Sequence, residues 1–131
     1  MKLQVGVKAL LQDDEDRYLF VRRQKAMANE VEPHWDIPGG RIEPDEDLDA
    51  ALIREIAEET GLHCSGEKVL LSAQDIFVPS KNLHVVRLTY RAKATGTIRI
   101  SHEHSEAIWM TLSQAKKSNI NPYIRKVITT L

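Results

Sequence analysis

Cysteine is almost missing from this chain: Cys64 is the only one in 131 residues. No internal disulfide can form, and a reducing, cytoplasmic setting is the expectation. Aromatic residues make up 5% of the chain and the formal net charge is −1. That combination excludes the basic, aromatic-studded surface of a general nucleic-acid-binding module, although local basic clusters remain compatible with it. No apolar run is long enough to span a bilayer. Met1-Lys2-Leu3-Gln4-Val5-Gly6-Val7-Lys8 alternates in polarity and lacks a continuous apolar signal segment, so no membrane partner is expected. Repeats, low-complexity tracts and linkers are absent too. What is there, 42% hydrophobic residues, suits one compact domain over residues 1–131 with a core of its own.

The informative stretch runs from Gly40 to Leu62. It contains Glu46 and then Arg54-Glu55-Ile56-Ala57-Glu58-Glu59-Thr60-Gly61-Leu62. At about 100° per residue, Glu55, Glu58 and Glu59 fall within an arc of about 100° on a helix. Leu52, Ile53, Ile56 and Ala57 occupy the neighbouring arc and provide an apolar side to bury. Glu55 and Glu59 are like charges at i, i+4, which costs an isolated helix roughly 0.2–0.5 kcal/mol. Such crowding makes sense if a hard divalent cation, which prefers oxygen ligands, sits over the carboxylates and carries phosphates. The alternative is a solvated acidic helix face. Upstream, Pro38-Gly39-Gly40 predicts a sharp turn open to close approach by a metal or phosphate. Pro44-Asp45-Glu46-Asp47 supplies proline and acids where a helix should start, and Gly61 should cap its end.

This spacing resembles the signature of the Nudix hydrolases, with every defined position of the pattern filled. Trp35-Asp36-Ile37-Pro38-Gly39-Gly40 is similar to the family's usual approach to it. The resemblance implies hydrolysis of a pyrophosphate bond in a nucleoside diphosphate linked to another moiety, with Mg²⁺ or Mn²⁺ as cofactor and a small nucleotide as substrate. It implies Glu58 and Glu59 as principal metal ligands, Glu55 as a further ligand or the general base, and the Gly39 carbonyl as a ligand. Gly40 would belong to the cofactor-binding turn. Arg54 would hold a glutamate of the motif through a charge-assisted hydrogen bond; a surface ion pair with Glu58 at i, i+4 is its alternative. Glu46 either assists the metal site at longer range or serves only the helix dipole. A homodimer is a family-level expectation. No covalent intermediate is needed, and Cys64 reads as a small, partly buried residue.

Periodicity places strands at Leu3–Leu11 and Tyr18–Arg23, with a polar turn at Asp13–Asp16 between them. A loop over the site is expected for Gln24–His34. Short strands are expected at Val69–Ala73, Asp75–Val78, His84–Ala94, Thr97–Ile100 and Glu106–Thr111. Ile124, Val127, Ile128 and Leu131 share a face of a C-terminal helix from Pro122 to Leu131. Strands on both sides of a central helix suggest a mixed α/β sandwich. The resemblance implies the Nudix-type α/β/α arrangement, with a mixed sheet, a loop-helix-loop motif and a C-terminal helix.

Outside the motif, many Nudix proteins place an extra glutamate before a late strand. Glu103 is the first candidate for that catalytic role and Glu106 the second. His102 and His104, at i and i+2, share a strand face, but no further histidine or cysteine lies nearby to complete a transition-metal set. Arg22, Arg23 and Lys25 are candidates to grip substrate phosphates. Alternation sends Arg22 and Arg23 to opposite faces, so at most one enters a cleft. Trp35, Phe77, Tyr90 and Trp109 are better suited to core packing than to base stacking. Within the resemblance, cleavage of a nucleoside triphosphate to monophosphate and pyrophosphate is the leading substrate reading. The runner-up is ADP-ribose or a nucleotide sugar, for which Pro79 is not convincingly placed. Prenyl diphosphate isomerisation lacks a suitable loop cysteine. A nucleotide-binding regulator without catalysis would be expected to have lost ligands that this chain retains.

Overall fold

The computed structural model describes residues 1–23, 33–64, 66–102 and 104–131. Its strands are β1 (Lys2–Gln12), β2 (Tyr18–Arg23), β3 (Trp35–Asp36), β4 (Gly39–Arg41), β5 (Lys68–Val78), β6 (Leu83–Lys93) and β7 (His104–Met110). Its α-helices are α1 (Leu48–Thr60), α2 (Leu112–Lys116) and α3 (Pro122–Ile128), and Pro79–Lys81 forms a 3₁₀ turn. One mixed sheet takes in all seven strands, with β1 parallel to β6 along its whole length.

Side-chain alternation along β1 divides two cores. Val7, Ala9 and Leu11 join Leu52, Ile56 and Leu62 beneath α1. Leu10 faces the other way, with Phe20, Ile37, Ile124 and Ile128 beneath α2 and α3. The result is the α/β/α sandwich that the sequence suggested.

The sheet splits between β1 and β2. They share register only at Gln12 and Tyr18, beside the turn that joins them. Further along, β3 pairs with β2 while β4 pairs with β1. Residues 35–41 therefore bridge the gap, and the turn Pro38-Gly39-Gly40 crosses it. Gly39 has φ +153°, and a Cβ there would collide with the Val7 carbonyl. Only glycine allows this approach.

Helix α1 begins where expected. The Asp47 side chain accepts a hydrogen bond from Ala50 N at 2.7 Å, and Gly61 closes the helix at φ 73°, its N–H donating to the Ala57 carbonyl at 3.0 Å. Thr60 is buried; its hydroxyl donates to Ile56 O at 2.7 Å and accepts from Leu62 N at 3.1 Å.

Several expectations are corrected. Thr97–Ile100 is not a strand, because its neighbourhood serves the end of α1: Arg99 N donates to Thr60 O at 2.6 Å and Ser101 N to Glu59 O at 3.0 Å. The two short strands proposed for Val69–Val78 are one, β5, with a bulge near Leu71. Ala57 is exposed, its buried place on α1 taken by Ala51 and Thr60. Phe77 is exposed as well, stacked on His84 at 4.4 Å rather than packed in a core. The C-terminal helix stops at Ile128, and α2 was not anticipated.

Ile56 is fully buried under the sheet whereas Leu48 is 37% exposed at the start of the same helix. Ile56→Ala should cost about 2–5 kcal/mol of unfolding free energy, and Leu48→Ala under about 1 kcal/mol. Urea unfolding followed by circular dichroism measures both.

Candidate active site

The acids of α1 meet the sheet at its split. Arg54 organises them. Its Nε and Nη2 donate to Glu46 at 2.7 and 2.9 Å, and its Nη1 donates to Glu55 at 2.9 Å and Glu58 at 3.3 Å. A further bond runs from Nη2 to the Arg41 carbonyl at 3.1 Å. One planar guanidinium thus ties three carboxylates to the end of β4, a job suited to arginine's fork of donors. The Arg54 bonds, joined by the Glu43 N–H, hold the Glu46 carboxyl down at about 2.

Glu59 is held differently. Its Oε2 accepts from Gly39 N at 2.9 Å. Burial pushes its carboxyl up to about 7, against the pull of that N–H and of Lys8, while Glu55 and Asp36 add repulsion. Glu55 lies against the main chain, where a Cβ on Gly40 would fall on its carboxylate. Glu55 is 14% exposed and Glu58 is 59% exposed at the side chain, so the first faces the turn and the second faces solvent.

The motif is continuous with a cleft of about 420 Å³ at the split in the sheet. Lys8, Asp36, Gly39 and Glu59 form the side toward the motif; Arg87, Asn121 and Tyr123 also line it. Lys8 donates to the Ile37 carbonyl at 2.9 Å and pairs with Asp36 at 3.3 Å. Burial alone would raise the Asp36 carboxyl, but Lys8, Arg87 and the Ile37 N–H hold it below its ordinary value.

Arg23 lines this cleft and Arg22 does not. The divergence expected from alternation is present, and it decides between the two. Arg22 is corrected as a candidate for the cleft: it lies over the Trp35 ring at 4.6 Å and is ion-paired with Glu106. The same pairing occupies Glu106, the second candidate for an extra glutamate. A bulge opposite Arg22 and Arg23 brings His104, rather than Ser105, into register with Arg23. Glu103, Lys25 and most of the loop expected over the site lie outside the described residues. Cys64 is buried, and burial raises its thiol, so it is no nucleophile.

Among the described residues, no three histidine, cysteine, aspartate or glutamate side chains form a ready metal cluster. The donor chemistry nevertheless fits a hard cation, since carboxylates and a backbone carbonyl are all oxygen ligands. The buried Glu59 carboxyl and the bare Cα of Gly40 beside Glu55 fit it as well. Lys8, Arg87, Asn121 and Tyr123 were not anticipated as cleft residues. A lysine within the apolar run Val7-Lys8-Ala9-Leu10-Leu11 was the signal available for the first.

The model of the NUDIX domain matches residues 2–131. The chain belongs to the Nudix family. It is 34% identical over 101 residues to human 8-oxo-dGDP phosphatase NUDT18, an alignment covering 77% of this chain and 28% of that protein. It is 28% identical over 123 residues to the CTP pyrophosphohydrolase of Escherichia coli, covering 93% and 86%. The human relatives are longer: this Nudix chain spans 28% of one and 41% of another. A crystal structure of a MutT NUDIX hydrolase from Burkholderia pseudomallei superimposes with a TM-score of 0.82 at 24% identity, covering 100% of this chain and 99% of that one. Nudix hydrolases generally use divalent metal ions.

The depressed Asp36 carboxyl stabilises the fold above its unfolded-state value near about 3.9, and the contribution is lost as pH falls through the folded-state value. Asp36→Asn should therefore cost on the order of 2 kcal/mol at pH 7, leaving Lys8 without its partner. The gap to the parent should shrink by pH 3. Urea titrations at both pH values would show it, and an unchanged gap would contradict the charge assignment.

Proposed function

We propose that this chain hydrolyses a pyrophosphate bond in a nucleoside diphosphate linked to another moiety, with Mg²⁺ or Mn²⁺. The leading substrate is a nucleoside triphosphate, cleaved to monophosphate and pyrophosphate. The observation that carries this reading is the single guanidinium of Arg54 binding Glu46, Glu55 and Glu58, beside a cleft that contains Gly39 and Glu59. Relatives named for 8-oxo-dGDP and for CTP support a nucleotide substrate.

In this reading Glu55, Glu58, Glu59 and the Gly39 carbonyl hold the cation, which when bound neutralises phosphate charge and makes water more acidic. Arg54 keeps Glu55 and Glu58 oriented and does not touch substrate. Glu55 or Glu58 accepts the proton of the attacking water, with Glu103 as a further candidate. Arg23 is free to meet phosphate oxygens at the cleft, and the nucleoside occupies the space lined by Tyr123 and Arg87. Water attack on phosphorus breaks the anhydride bond, and the water oxygen stays on the attacked phosphorus. Monophosphate and pyrophosphate are the products, and no protein nucleophile takes part.

Glu58→Gln keeps the side chain's size and removes its charge. Turnover should fall by about 100-fold or more, with the melting temperature nearly unchanged because Glu58 is exposed. The assay measures phosphate and pyrophosphate release from nucleoside triphosphates, ADP-ribose, nucleotide sugars and dinucleoside polyphosphates, with Mg²⁺, with Mn²⁺ and with chelator. Parental rates in the variant would remove Glu58 from the ligand set. Turnover of ADP-ribose or sugar nucleotides alone would replace the triphosphate reading, and binding without turnover would indicate a regulator.

A further inference from the structure

Arg87 is the unexplained charge in the cleft. It lines the cavity from β6, and its Nη1 is buried without a hydrogen-bond partner. Among the described residues its guanidinium makes no ion pair within 4 Å; its one direct contact of note is the Tyr123 ring, whose centroid lies 5.9 Å away. Asp36, the carboxylate that acts on it electrostatically, is already paired with Lys8 at 3.3 Å. Gln74, its partner across β5 and β6, donates its amide nitrogen to the Tyr123 carbonyl at 2.9 Å, and its Oε1 is likewise buried with no hydrogen-bond partner among the described residues. A guanidinium carries five N–H donors and no acceptor, and burying one of those donors unpaired is costly. Even the free oxygen of Gln74 on the adjacent strand does not bond to it, and a ligand in the cleft can supply an acceptor.

The phosphates do not supply it in the proposed reading, since they lie toward the carboxylates of α1 and toward Arg23. Arg87 instead lines the cleft together with Asn121 and Tyr123, whose aromatic side chain can bound a planar ring. Guanine and hypoxanthine present a carbonyl oxygen and a ring nitrogen as adjacent acceptors, which match an arginine fork. Adenine replaces the oxygen with an amino group, a donor facing donors. We propose that Arg87 is a specificity-determining residue that donates to the carbonyl of a 6-oxopurine, so that this chain selects oxo-bearing purine nucleotides over adenine nucleotides. The inference rests on the pyrophosphohydrolase reading for where the phosphates lie.

The test is a pair of substrates that differ at the 6-position and in the N1 proton that accompanies it, ITP and ATP, given to the parent, Arg87→Met and Arg87→Lys in Mg²⁺. The parent should show kcat/KM for ITP at least about tenfold above ATP. In Arg87→Met the ratio should fall to about threefold or less, chiefly through a raised KM for ITP. Arg87→Lys keeps the charge without the fork and should also lose most of the preference, and it serves if the methionine variant fails to fold. Equal use of both substrates by the parent overturns the proposal. So does a preference that survives in both variants, or an equal loss on both substrates, which would place phosphate on Arg87. If the parent turns over neither triphosphate, the reaction reading fails separately, and calorimetric titration of IMP against AMP decides the preference. Tighter IMP binding that disappears in Arg87→Met supports it, and equal affinities overturn it.

Discussion

The close approach of Gly39 and Gly40 to their neighbours is the constraint on which the site depends. At Gly39 a Cβ would strike the Val7 carbonyl, and at Gly40 it would strike the Glu55 carboxylate. Without side chains, the turn crosses the split between β1 and β2 and pairs with β1 at Val7 and Lys8. That places the Gly39 N–H on Glu59 and the main chain of Gly40 against Glu55. Helix and sheet are thereby locked at the point where their polar groups meet, while Leu52 and Ile56 fasten the buried side of the helix.

Charge in this region is sorted into three states. Around Arg54 the carboxylates share one guanidinium and are largely satisfied. Lys8 and Asp36 form a part-buried pair that also pins the carbonyl of Ile37. Glu59 and Arg87 are the two groups for which burial works most plainly against ionisation, one carboxyl pushed up and one guanidinium pushed down. They line the same cleft. Buried charge that the protein does not fully compensate is a common property of functional sites, because a ligand can complete the compensation.

Much of the fold was legible along the chain. Tyr18–Arg23 was found with its bounds, and Leu3–Leu11 differs from β1 by a residue at each end. The start of α1 and its glycine stop were legible because capping is local chemistry between residues a few positions apart. Thr97–Ile100 failed for a different reason. Its alternation is real, but its neighbourhood gives backbone donors to Glu59 and Thr60, carbonyls that the end of any helix leaves unsatisfied. Phe77 failed because apolar character does not say whether a partner layer exists above an edge strand. Helix α2 carried a readable signal, the reciprocal bonds of Thr111 and Gln114, in a segment too short for periodicity to reveal.

The amino-acid order by itself determined which residues share a helix face, where α1 starts and stops, and that Glu58 lies one turn beyond Arg54. Each follows from spacings of four residues or fewer along a helix whose geometry is known in advance. Only the tertiary structure decided that Arg23 lines the cleft while Arg22 lies on Trp35 and pairs with Glu106, 84 positions away. It alone brought Lys8, Asp36, Arg87 and Tyr123, from four separate elements, around one space. Such contacts depend on how far β1 and β2 splay and which strand fills the gap, and that geometry is set by two cores packed on opposite faces of the sheet.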